Sequence, residues 1–199
     1  MEPITIAQSS ITAMGIAFGV CFGLPFVFVI ANRHKMSLLS IVMGLASWCL
    51  FSYFGAGMLV KSLLSAATVF SALVMGFLQA LIMLVGHFFV LKYLSNRGIK
   101  NGIPLSYGLG YSLIYLVLEN GVNLFSNISL STAVNNNGFD LVATTVDDPE
   151  GLYELLRSVA DTPLHVFLLG AAELVFYFLL TLAVCVLVWY AVVQKQYIL

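Results

Sequence analysis

The stretch PLHVFLLGAAELVFYFLLTLAVCVLVWYAVV, Pro163–Val193, contains one charged side chain, Glu173, and far exceeds the ~20 apolar residues that cross a hydrocarbon core. No Gly or Pro break follows Gly170, so the segment predicts one long, tilted or projecting helix rather than a re-entrant pair. Working outward, four more stretches are long enough to span: Ser10–Ala31, Leu38–Val60, Ala66–Leu94 and Ile103–Phe125. Apolar residues make up 61% of the 199 positions and charged residues 9%, against roughly 25% charged in a soluble domain. A soluble chain this short could not hide so much apolar surface, whereas a bilayer solvates it. The fold class expected is all-α: an integral membrane bundle of about five transmembrane helices, six at most, forming a single domain over 1–199. A net charge of −1 leaves no basic face for nucleic acid.

Lys and Arg in the short loops set the expected orientation. Arg33, Lys35, Lys92, Arg97, Lys100 and Lys195 fall on one side and only Lys61 and Arg157 on the other, which predicts the N-terminus outside and the C-terminus in the cytoplasm. The one sizeable loop, about 126–162, is then external and rich in Asp and Glu. Within it Asp148-Pro149-Glu150 starts a helix, and Leu152, Leu155, Leu156 and Val159 predict a short amphipathic helix on the outer surface. The first apolar run follows a leader whose only charged side chain is Glu2, without a cleavage pattern, and reads as a spanning helix. Cys21, Cys49 and Cys185 match no metal or redox spacing and read as small packing residues.

Polar groups at bilayer depth are expensive and therefore candidates for function. Tyr107, Tyr111, Tyr115, Glu119 and Asn123 recur at every fourth position, with Asn120 beside them, so a regular helix would gather them into one slowly winding stripe. The stripe lines a polar cavity or ligand contact, or else bonds to neighbouring helices. Glu119 and Glu173 could hold a cation, share a proton or stay protonated against Tyr or Asn. His87 and His165 are secondary candidates, predicted at opposite ends of the bundle, and structural hydrogen bonding is the simpler reading of each. No metal or cofactor is expected from these spacings. Gly15, Gly19 and Gly23, overlapped by Ala13 and Ala17, form a small-residue ridge for close helix contact within the bundle, with itself or with another membrane protein, and Pro25 should kink that helix.

The linear pattern resembles the YhfC family, bacterial multi-spanning proteins grouped with PrsW-like and CPBP-type intramembrane metalloproteases. Gly23-Leu24-Pro25 through Arg33-His34-Lys35 to Gly44 is similar to the family's first hairpin. Phe89-Val90-Leu91-Lys92-Tyr93-Leu94 followed by Tyr107-Gly108-Leu109-Gly110 is similar to its central signature, and Glu173 with Val186–Val192 to a later helix. The resemblance implies a bacterial plasma-membrane protein. It also marks departures. The family's glutamates and arginine on the third helix would fall near Met83, Leu84 and His87. Its Gly-His-Gly-Gly-Ile-Glu signature would read Gly110-Tyr111-Ser112-Leu113-Ile114-Tyr115, and its later Glu-Arg…His arrangement Glu173-Leu174 and Thr181. Metal hydrolysis needs nitrogen or carboxylate ligands and a base for water, which Tyr and Met do not supply. The expected function is a non-enzymatic, catalytically silent binding or scaffold subunit working with membrane partners. The alternatives are a small-molecule-binding component of a transporter, similar to the capture subunit of an energy-coupling vitamin transporter, or an active intramembrane metalloprotease.

Overall fold

A computed structural model of the chain describes residues 4–60, 69–97 and 102–194, all of it helical or short connecting backbone. Helix α1, Gln8–Asn32, runs into a single tight turn, Arg33–Lys35. Helix α2, Leu38–Ser47, is capped by the Ser37 side chain and continues as a wider, π-type helix over Trp48–Val60. Then come α3, Val69–Asn96, and α4, which opens at Ile103–Leu113, widens at Ile114–Gly121 and resumes at Val122–Asn137. A short α5, Phe139–Ala143, precedes α6, Pro149–Asp161, and α7, Leu164–Gln194.

Among the described residues four helices are long and apolar enough to cross a membrane: Gln8–Lys35, Phe70–Asn96, Ile103–Asn137 and Leu164–Gln194. The second expected span is described in full only over Leu38–Phe54, a shorter apolar helix. The chain is an all-helical, multi-pass membrane protein, and α7 is one continuous helix.

The chain forms two compact units, and α1, α4 and α7 each contribute to both. The first unit comprises residues 1–27 and 115–176. Its core gathers Ile6, Met14, Val134, Val142, Leu152, Leu156 and Val159. Asn135 clasps the extended N-terminal segment there, accepting from the Ile6 N–H at 2.9 Å and donating to the Ile6 carbonyl at 2.8 Å. The helix expected to end at Phe125 continues instead to Asn137, with Ile128 and Val134 packed on this core and Ser131 buried, and it stops at Gly138, whose φ is +83°. The amphipathic α6 turns Leu152, Leu156 and Val159 into the same core and leaves Leu155 exposed, so its apolar face is covered by protein. Its start is as expected: the Asp148 carboxylate accepts from the Gly151 N–H at 2.9 Å.

The second unit comprises residues 28–114 and 177–199 and is organised by close backbone contact between α2 and α4. A Cβ on Gly44 would overlap the Tyr107 carbonyl and the Tyr111 nitrogen, and one on Gly110 would overlap the Ile41 carbonyl. These two glycines let the helices touch main chain to main chain, the contact that small residues provide in membranes. Gly102 starts α4 at a φ of +74°, against the Lys35 carbonyl, and the Ser37 N–H donates to Ser106 Oγ at 2.9 Å. Leu91, Leu94, Ile103, Tyr107, Cys185 and Val188 complete this core.

The small residues of α1 divide by face. Ala13 and Ala17 are buried, as is Pro25 within the continuous helix, whereas Gly15, Gly19 and Gly23 have no atom within 4 Å of where a side chain would begin. Among the described residues, nothing packs closely against the glycine ridge. Of the cysteines, Cys21 and Cys185 are buried, and Cys49, expected as a packing residue, is exposed.

Gly44→Ala and Gly110→Ala should therefore each lower stability by about 1–3 kcal/mol, the range for overpacking a filled contact. Gly15→Ala and Gly19→Ala should change it by less than ~0.5 kcal/mol. Unfolding in a fixed detergent, followed by circular dichroism, separates the two pairs, and equal effects would refute the assignment of faces.

Candidate functional site

The polar series of α4 is divided between the two units: Tyr107 and Tyr111 lie on the regular part of the helix and in the second unit, whereas Tyr115, Glu119, Asn120 and Asn123 lie at or beyond the start of the wider turns of Ile114–Gly121 and in the first.

In the second unit, Tyr107 and Tyr111 are 0% and 2% exposed and His87, from α3, is 5% exposed. His87 Nδ1 and the Tyr107 hydroxyl are 2.9 Å apart. The imidazole meets both phenol rings edge to face, at centroid distances of 5.5 Å to Tyr107 and 4.5 Å to Tyr111. Ser47 donates to the Met43 carbonyl at 2.7 Å and also hydrogen-bonds Tyr107. Which of His87 Nδ1 and the Tyr107 hydroxyl donates follows from the tautomer of the ring. The Tyr111 hydroxyl bonds to Ser52. Cys185 shares the core with Tyr107, and its Sγ would lie 3.3 Å from a Cβ on Gly108. The residues that complete this network, Ser47 and Ser52, escaped the reading of the sequence. The available signal was the run Ser40, Gly44, Ser47, three small residues at helical spacing that are all buried.

In the first unit, Tyr115 is half-buried, hydrogen-bonds Asn120 and lies within electrostatic reach of Glu173 and Glu119. Asn120 Nδ2 also donates to the Tyr115 carbonyl at 2.8 Å, one wide turn back, and Asn123 donates to the Glu119 carbonyl. Both carboxylates, Glu119 and Glu173, are exposed on the surface of their helices. His165 is exposed at the start of α7, and the two histidines lie in different units.

A catalytic zinc takes three protein ligands from His, Asp, Glu or Cys and keeps a position for water. Among the described residues no three such side chains converge. Around His87 the neighbours are phenols and serine hydroxyls, Nδ1 is committed to Tyr107, and at most one imidazole nitrogen remains to coordinate. Among the described residues, those around His87 do not supply the ligand set of a catalytic metal.

A family model described as YhfC intramembrane metalloprotease matches residues 15–199, and the chain belongs to that family. No curated protein and no solved structure matches it.

Tyr107→Phe removes the oxygen shared by His87 and Ser47 and should cost about 1–3 kcal/mol, the penalty for leaving a buried polar group unpaired. Tyr111→Phe, which strands Ser52, should fall in the same range. Asn123→Ala, at an exposed position, should stay within ~0.5 kcal/mol. Chemical unfolding of the three variants in detergent checks the ranking, and a neutral Tyr107→Phe would mean that the network carries no stability.

Proposed function

We propose that this member of the YhfC intramembrane metalloprotease family is catalytically silent and works as a binding or scaffold subunit for other membrane proteins. The observation that carries the reading is the buried His87–Tyr107–Ser47 chain with Tyr111 and Ser52 beside it. Tyr111 stands where the resemblance in sequence would put the family's histidine, and its hydroxyl is engaged by Ser52 rather than held open for an ion. Hydroxyl groups saturated by one another stiffen a bundle but neither hold a Lewis acid nor activate water. Such a chain retains the helical frame of its relatives and offers the outward face of α1, with Gly15 and Gly19, to a partner helix.

We further place the protein in a bacterial plasma membrane, N-terminus outside and C-terminus in the cytoplasm. Arg33, Lys35, Lys92 and Arg97 support that orientation as basic residues that follow α1 or close α3. Lys61, Lys100 and Lys195, which enter the same count, lie outside the described residues. A second reading, a small-molecule-binding transport component, draws on Tyr115, Asn120, Glu119 and Glu173, which bring an aromatic ring, an amide and two carboxylates together.

The test is elemental analysis and native mass spectrometry of the gently solubilised protein from its own host. The expected result is metal well below one ion per chain and a membrane protein partner that stays bound. One tightly held ion per chain, lost in Glu119→Gln or Glu173→Gln, would overturn the silent reading, and a retained small molecule would favour the second.

A further inference from the structure

The charges of this chain are sorted by unit. The second unit contains no Asp or Glu, yet it carries seven of the chain's eight Lys and Arg, the eighth being Arg157. All nine carboxylates belong to the first unit. A cation in the second unit therefore has no carboxylate side chain of its own unit to pair with.

The described cations of this unit collect at one end of its helices. Arg33, His34 and Lys35 form a single exposed turn between α1 and α2, with Arg33 Nε directed to His34 Nε2 at 3.1 Å. That turn is pinned to the start of α4 by the Lys35 carbonyl against Gly102 and by the Ser37–Ser106 hydrogen bond. Arg97 follows directly on α3, five positions before Gly102, at the same end. Its guanidinium lies 5.0 Å over the Tyr93 ring and donates to the Tyr93 hydroxyl, while Lys92 Nζ lies 5.5 Å from the Phe88 ring centre. Charged heads stacked on aromatic rings at the end of an apolar helix are the arrangement of a membrane–water boundary.

Large apolar side chains begin at once beside the cations. Ile30 is 54% exposed, Leu38 77% and Phe89 61%. The surface thus joins a positive end to bare hydrocarbon, and its complement is an anion attached to an apolar chain. A free phosphate would satisfy the charges and leave the apolar rows uncovered.

We propose that this end of the second unit is a binding site for an anionic phospholipid. Its headgroup phosphate is held by Arg33, Lys35 and Arg97, and its acyl chains lie along Ile30, Leu38 and Phe89. The proposal is independent of whether the family's chemistry is retained, since none of these residues belongs to the network around His87.

The full chain is reconstituted in nanodiscs of equimolar phosphatidylcholine and phosphatidylglycerol with matched acyl chains. The lipids it retains on release are then counted by native mass spectrometry. Retention should favour phosphatidylglycerol by on the order of tenfold or more. Arg33→Gln/Lys35→Gln/Arg97→Gln should abolish the preference, and Arg157→Gln should leave it intact. The double variant Arg33→Gln/Lys35→Gln keeps the Arg97–Tyr93 stack and should give an intermediate value, so the proposal does not depend on the triple variant folding. Equal retention of both lipids by the unaltered chain, or a preference unchanged in the double variant, would overturn it. Displacement of the lipid by millimolar inorganic phosphate would assign the site to a free anion and overturn the lipid assignment.

Discussion

Much of the second unit depends on one contact: the main chains of α2 and α4 meet at Gly44 and Gly110 with no side chain between them. In a bilayer the lipid tails compete with apolar side chains on equal terms, so helices associate through close packing and hydrogen bonds rather than by escaping solvent. Two glycines facing one another provide the first. They also provide the second, because the approach they allow lets Ser52 of α2 reach the Tyr111 hydroxyl and Ser47 reach Tyr107. A side chain in place of either glycine would push the two helices apart and unmake the hydroxyl contacts together with the packing.

The same economy governs several other hydroxyls, although Ser40 Oγ and Ser131 Oγ are buried without a partner among the described residues. Ser47, Thr12 and Thr132 each donate to a carbonyl four residues earlier, which satisfies a hydroxyl within its own helix at no demand on a neighbour. Tyr107 and Tyr111 cannot do this, since their hydroxyls lie too far from their own backbone, and so they require partners from other helices. Their burial beside His87 is thus a consequence of geometry as well as of chemistry. In the first unit, where Asn135 holds the N-terminal segment and α6 covers a core of aliphatic side chains, the polar cluster of Tyr115, Asn120, Glu119 and Glu173 remains at the surface.

Hydropathy made the spanning helices, the single long α7 and the capped start of α6 legible in the sequence, because each depends on local composition over one or two turns. Which small residues matter was not legible. Gly15, Gly19 and Gly23 repeat at regular spacing with no atom within 4 Å of a would-be Cβ, while Gly44 and Gly110 belong to no such repeat and carry the main-chain contact between α2 and α4. A repeat shows that a face is narrow, and only the neighbour decides whether it is used. Asp148 followed by Pro149 could be read as a helix start, but nothing local to Ser126 revealed that Ile128, Ser131 and Val134 would find a core to face.

Membership of the YhfC family and the lack, among the described residues, of three converging His, Cys, Asp or Glu side chains sit together without conflict once frame and chemistry are separated. The glycines around Tyr107 are demanded by helix contact: Gly108 faces Leu182 and Cys185 of α7, and Gly110 faces Ile41 of α2. That demand is the same whether the intervening side chains bind an ion or one another. Ion ligands inside a membrane must be compensated by the ion itself, and a chain that loses the ion is left with buried groups lacking partners. Phenols and serines in those places compensate one another, so the bundle closes on its own. On the proposed reading, exchange of ligands for hydroxyls is how such a frame persists after its chemistry has gone, and the tyrosines are the residues that keep its interior paired.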